Sequence, residues 1–205
     1  MWVEDVLNFK KGRWLNKPES FIVFVDGISI TTEPHTDLWQ QTYYGFSKAN
    51  APAYLFDVDE AFTFTTKVDF TYYRRFDQCG ILIYLDERNW FKASVEFESE
   101  GVSKLGSVVT NDGFSDWATQ DIPTPASMWY RLSQRGPDFR LEYSLDGQDF
   151  YQLRIFRMKK LDGVADDQDA PTVPVGLYAC SPEESSFVCD FSQVTMQPSE
   201  WSAHK

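Results

Sequence analysis

Residues 77 to 98, DQCGILIYLDERNWFKASVEFE, constrain the fold more than any other stretch, because both halves alternate and the middle carries a turn signal. The pattern predicts a β-hairpin. In its second half Phe91, Ala93, Val95 and Phe97 fall on one face, and Trp90, Lys92, Ser94, Glu96 and Glu98 on the other. The first face is core. The second sets an indole beside an ammonium and a carboxylate, which can stack on the apolar face of a sugar ring while hydrogen-bonding its hydroxyls. Two plainer readings stand beside that one: Trp90 packs under a neighbouring loop, and Lys92 and Glu96 simply pair with each other.

Other segments repeat the two-residue period. Phe62, Phe64, Thr66, Val68 and Phe70 alternate with Thr63, Thr65, Lys67, Asp69 and Thr71, as in a half-buried antiparallel strand. Asp26-Gly27 joins FIVFV to ISITTEP as a first hairpin, and Arg135 to Asp138 and Asp146-Gly147 join three strands of a meander. In the meander Phe139, Leu141, Tyr143 and Leu145 are expected inward and Glu142 outward, with Leu153, Ile155 and Met158 adding core. Val173 to Ala179 and Ser186 to Met196 form a closing pair. In FSDWATQDI, Ser115 and Trp117 share one parity and Asp116 and Ala118 the other, so strand geometry alone does not say which points where. Between the first hairpin and these strands, EPHTDLWQQTYYGFSKANAP is aromatic and polar without a sustained period, and is read as a loop or irregular strand with a functional role.

No amphipathic helix longer than two turns is expected, and the aromatic share of 17% suits strands whose large side chains fill the space between sheets. The fold class is therefore all-β, one sandwich domain over 1–205 with 1–13 and 198–205 as loosely attached ends. A net charge of -12 lacks the basic surface that nucleic acid or an anionic membrane requires. No segment has the roughly 18 consecutive apolar residues of a membrane span, and the start lacks the apolar core of a secretion signal. Cys79, Cys180 and Cys189 are odd in number and lie in strand patterns, which points to reduced, structural thiols and a cytoplasmic location.

The signatures of nucleophilic hydrolases, nucleotide-dependent enzymes and zinc enzymes are absent, and no cofactor or resident metal is expected. Asp162, Asp166, Asp167 and Asp169 offer oxygen ligands for calcium, but the EF-hand spacing and its closing Glu are missing, so the loop is read as solvated. Glycoside hydrolysis is the remaining catalytic route; it needs two carboxylates, for which Glu96 with Asp77 or Asp116 are the candidates.

Four stretches, TDLWQQTYYGF (36–46), DQCGILIYLDERNWFKASVEFE (77–98), GSVVTNDGFSDWAT (106–119) and VGLYACSPEESSFVCDFSQV (175–194), resemble the family of uncharacterised proteins that includes the yeast regulator of enolase. The resemblance implies a concanavalin A-like lectin/glucanase jelly roll, two antiparallel sheets in a sandwich, a module that also follows the catalytic domain of some xylosidases. It implies that Asp37, Trp39, Gln41, Tyr44, Asp77, Gln78, Trp90, Lys92, Glu96, Ser107, Thr110, Asp116 and Trp117 gather on the concave face. His35 departs from the glycine frequent there in the family. The implied partners are a sugar or sugar-derived small molecule, or a cytosolic protein of sugar metabolism.

Overall fold

The computed structural model describes residues 7–163, 171–199 and 201–202. In chain order its strands are β1 (Arg13–Leu15), β2 (Phe21–Val23), β3 (Ile28–Thr31), β4 (Leu38–Gln40), β5 (Ser47–Ala49), β6 (Ala53–Val58), β7 (Phe62–Phe70) and β8 (Gln78–Asp86). There follow β9 (Asn89–Ser99), β10 (Val102–Asn111), β11 (Phe114–Pro123), β12 (Ser127–Arg135), β13 (Asp138–Ser144), β14 (Tyr151–Arg157), β15 (Val173–Cys180) and β16 (Val188–Pro198). Helix among the described residues is limited to two single 3₁₀ turns, Phe9–Lys11 and Lys159–Leu161.

Two antiparallel sheets of seven strands stack face to face, as the all-β reading requires. The first runs β1-β6-β15-β8-β9-β10-β11 and the second β14-β13-β12-β7-β16-β3-β2, while β4 and β5 form a separate two-stranded hairpin. The central hairpin of the sequence is β8–β9, in the register Ile81↔Ala93 and Ile83↔Phe91. Phe91, Ala93 and Val95 face Phe64, Val68, Leu132 and Leu141 of the opposite sheet across one continuous core. Phe62, Phe64, Val68, Ile81, Ile83, Phe91, Val95, Leu141 and Phe187 are all buried, and Tyr143 is packed partly buried against them.

The meander departs from strict alternation. Between Leu141↔Arg154 and Glu142↔Gln152 the register skips Leu153, a bulge in β14 that lets Leu153 pack on the core while Ile155 turns outward. Glu142 keeps its outward parity but is covered there by Arg131 and Arg140, accepting from Arg131 Nε at 2.8 Å, whereas Leu145, past the end of β13, and Ile155, both expected inward, are exposed. All three cysteines are free and buried. Phe9 is buried in the core, and Tyr54 donates its hydroxyl to the Phe9 carbonyl, which fastens part of the leading segment to β6. Asp166, Asp167 and Asp169 of the acidic loop lie outside the described residues; Asp162 accepts from Arg157 Nε at 2.7 Å. No described helix is long and apolar enough to cross a membrane.

Candidate functional site

The pairing registers dictate what the outer face of the first sheet can hold. Gly80, Ser94, Gly106 and Thr119 are aligned partners across β8, β9, β10 and β11, so a row of small side chains crosses the sheet. One pleat away along the strands lies the row Leu82, Lys92, Val108, Trp117; on the other side lies Gln78, Glu96, Lys104, Asp121. Small residues between two rows of long ones make a trough. Gly106 keeps its floor low: a Cβ there would sit 2.6 Å from Thr119 Cγ2 and 2.7 Å from the Ala118 carbonyl oxygen.

The β4–β5 hairpin closes one end of this trough. Leu38 and Trp39 pack with Leu82, Trp90, Val108, Tyr178 and Cys180 in a second apolar cluster, outside the main core. The Gln40 backbone N–H donates to Ser115 Oγ at 3.0 Å, Ser115 shares a 2.8 Å hydrogen bond with Thr110, and Gln40 Nε2 donates to the Glu87 carbonyl. The aromatic segment is thus an ordered cover over half of the outer face. The other half remains as a cavity of about 240 Å³, lined by Asp37, Trp39, Tyr44, Phe46, Lys48, Phe76, Gln78, Lys92, Ser94, Glu96, Lys104, Gly106, Ser107, Val108, Trp117, Pro182 and Glu183. One wall is aromatic, with Trp39 set edge-on to Trp117 at 6.2 Å and to Tyr44 at 5.4 Å between ring centroids.

The floor is charged, with Lys92 buried and Glu96 half-buried. Lys92, 5% exposed, donates from Nζ to Asp37 Oδ1 at 3.1 Å. Burial pulls the ammonium's pKa down, but Asp37, Cys180 and Glu96 together offset this and leave it above its ordinary value. The Glu96 carboxyl is raised as well, which here favours the neutral form: burial, opposed by the attraction of Lys92, pushes it up to about 7. Tyr178 donates its hydroxyl to Gln78 Oε1 at 3.0 Å, which turns the amide so that Nε2 donates to Glu96 Oε2 at 2.8 Å. The second oxygen, Glu96 Oε1, is shielded and has no hydrogen-bond partner in the protein. A buried acceptor without a donor is costly, and a ligand hydroxyl can supply one.

Of the residues the sequence pointed to, Asp37, Trp39, Tyr44, Gln78, Lys92, Glu96, Ser107 and Trp117 line this cavity. Five others do not. Trp90 is fully buried beneath Leu38 and Trp39, as the plainer reading of that indole had it, and its Nε1 has no partner. Thr110 is occupied with Ser115 under the same cover. Asp77 is buried in the turn before β8, where its Oδ2 accepts from the backbone N–H groups of Tyr73 and Arg74 and from Ser185 Oγ. Gln41 sits in the hairpin tip and donates to Ser47 Oγ. Asp116 has the parity of Val109, facing the sandwich interior at the sheet edge, and pairs there with Arg154 at 2.8 Å. Ser107 has that parity too, and its Oγ accepts from Arg154.

The Lys92–Glu96 pair expected as an alternative is also redistributed, since the lysine bonds Asp37 and the glutamate bonds Gln78. His35 adopts φ +62, the left-handed region that favours glycine, and its ring meets Glu184 at 2.9 Å instead of lining the cavity. Phe46, Lys48, Phe76, Lys104, Gly106, Val108, Pro182 and Glu183 join the lining without having been singled out. Lys104 and Val108 share the parity that marks Lys92, so the period of β10 carries their signal. Phe76, held at φ +71 by the turn that Asp77 caps, has none.

The matches to known proteins span the sandwich. The chain is 31% identical over 184 residues to Regulation of enolase protein 1 of Saccharomyces cerevisiae, covering 89% of this chain and 87% of the relative. A crystal structure of a functionally unknown protein from Saccharomyces cerevisiae superposes with a TM-score of 0.83 at 28% identity, covering 95% of this chain and 100% of that one. The GH43 BlXynB protein from Bacillus licheniformis shares the fold at a TM-score of 0.67 and 17% identity, over 88% of this chain but 35% of its own. A family model spans residues 14–199, which include both sheets and every residue of the cavity, and the chain belongs to that family, described as Protein of unknown function (DUF1349).

Proposed function

We propose that the open half of the outer face binds a carbohydrate or sugar-derived small molecule, and that the protein is a cytoplasmic sugar-binding or sugar-sensing domain. The observation that carries this reading is the union, in one cavity, of an aromatic wall (Trp39, Tyr44, Trp117) with a polar floor of buried Lys92 and Gln78 and half-buried Glu96, whose shielded Oε1 has no partner. Indole and phenol faces take up the C–H face of a sugar ring, and fixed donors and acceptors take up its hydroxyls. The volume is below the roughly 300–1,000 Å³ of drug-sized pockets and suits a single ring. Thermal-shift measurements against neutral monosaccharides, oligosaccharides and sugar phosphates test it, because any ligand selective for the folded state raises Tm by mass action. A positive shift that Trp117→Ala abolishes without lowering the unliganded Tm is the expected result. No shift with any sugar overturns the reading.

A second reading rests on the yeast relative, whose name connects it with regulation of enolase. In it this chain is a regulatory partner of a sugar-metabolism enzyme such as enolase, and pull-down with purified enolase is its direct test. Catalysis on a glycosidic bond would need a second carboxylate opposite Glu96. The two carboxylates expected in that role, Asp77 and Asp116, are engaged elsewhere, so we assign no catalytic pair.

A further inference from the structure

The aromatic wall does not stop at the cavity. From Trp117 the rings continue through Trp39 to Tyr44, then from Tyr44 to Tyr43 at 4.9 Å and to Phe46 at 5.9 Å between centroids. From Trp39 outward exposure rises, from 7% to 52% at Tyr44 and 92% at Tyr43. The backbone at the tip is costly: Gln41, Tyr43 and Gly45 have φ of +53, +63 and +71. A bulky aromatic residue in the left-handed region is rare, and such strain persists only where the surroundings enforce it. Here the hydrogen bonds from Gln41 N–H to the Phe46 carbonyl and from Gly45 N–H to the Gln41 carbonyl hold the turn. The turn therefore holds Tyr43 in solvent, against Tyr44 of the cavity wall.

Charge narrows the class of ligand. Three ammonium groups and three carboxylates line the cavity, Lys92 is tied to Asp37, Lys104 is tied to Asp121, and the whole chain carries -12. Lys48, the third ammonium, donates to the His35 carbonyl, and equal numbers of both signs in so acidic a chain disfavour an anionic ligand.

Building on the sugar-binding reading above, we infer that the ligand is an uncharged oligosaccharide of at least two units. One unit sits in the cavity over Ser94 and Gly106, and the next stacks on the Tyr44–Tyr43 platform of the hairpin tip. The aromatic path accounts for the platform; a cavity sized for one ring accounts for the division into two subsites.

Titration calorimetry with glucose, xylose and their cello-, malto- and xylo-oligosaccharides of two to five units tests this. In the matching series affinity should rise at least about tenfold from one unit to three, a gain in keeping with one added aromatic stack. Tyr43→Asn, chosen because asparagine accepts the left-handed backbone, should remove that gain and leave monosaccharide affinity unchanged, while Tyr151→Ala on the opposite sheet changes neither. Monosaccharides binding as tightly as trisaccharides would overturn the extended site and leave the sugar-binding reading intact. So would a length dependence indifferent to Tyr43→Asn. Tighter binding of sugar phosphates than of neutral sugars would overturn the charge argument, and no binding by any saccharide would overturn both inference and reading.

Discussion

Glu96 and Lys92 lie on the same strand face with only Ser94 between them, yet their environments differ enough to act oppositely on stability. The Glu96 carboxyl titrates near 7 in the folded chain against an ordinary value of 4.5, because burial disfavours its charge more than Lys92 favours it. A raised carboxyl pKa means that the folded state holds the proton more tightly than the unfolded one. Stability from this group is therefore fully present below about pH 4.5 and is lost as pH rises through about 7. Glu96→Gln, which keeps the acceptor for Gln78, should stabilise the protein by about 1–3 kcal/mol at pH 8 and leave it unchanged at pH 4. Urea unfolding at the two pH values checks it; equal effects at both would mean that the carboxylate is solvated. Lys92 behaves as half of a buried pair. Lys92→Met strands Asp37 and should cost about 3 kcal/mol, and Asp37→Asn in the same chain should recover part of it as a coupling energy in a double-mutant cycle. Independent, additive losses would show that the 3.1 Å contact contributes little.

At the scale of elements, the strands could be read from sequence because their period is local. Phe62 to Phe70 and the β8–β9 hairpin declare their inward faces within nine to eleven residues, and the sheets follow. What covers an outward face is not local. Whether Trp90 is a binding residue or a buried one depends on Leu38 and Trp39, some fifty residues earlier, and no pattern within β9 can report it. Asp77 looks like a site carboxylate until the turn it caps is seen, and Asp116 looks like a companion of Trp117 until the pleat separates them. The bulge at Leu153 likewise breaks a count that two-residue periodicity must assume. The cover itself hangs on few bonds. Ser115→Ala leaves the Gln40 N–H without its acceptor, so it should cost about 1–3 kcal/mol, felt locally. Hydrogen exchange should quicken at Gln40 to Ala49 and stay unchanged at β7 and β12; uniform acceleration would show that the hairpin and sandwich unfold as one unit.

For the molecule as a whole, the three thiols report how the two apolar clusters divide its cooperativity. Cys79 lies in β8 and Cys189 in β16, both within the main core between the sheets, and neither has accessible surface. Exposing either requires the sandwich to open. Cys180 is equally buried, but in the outer cluster, where Leu38 and Trp39 cover it and its Sγ lies 4.0 Å from Asp37 Oδ1. Only the β4–β5 hairpin has to lift to reach it. A thiol reagent in native buffer should accordingly label Cys180 at least about tenfold faster than the other two, since the free energy of opening is set by what each event exposes. Cys79 and Cys189 should react together, at a rate set by global unfolding, and Phe64→Ala, which removes about 3–5 kcal/mol from the main core, should accelerate that pair strongly. Ser115→Ala should accelerate Cys180 alone. A single rate for all three thiols, or a Ser115→Ala effect that reaches Cys79 and Cys189, would show that the cover is part of the core, and the cavity beside it would then be as rigid as the sandwich that carries it.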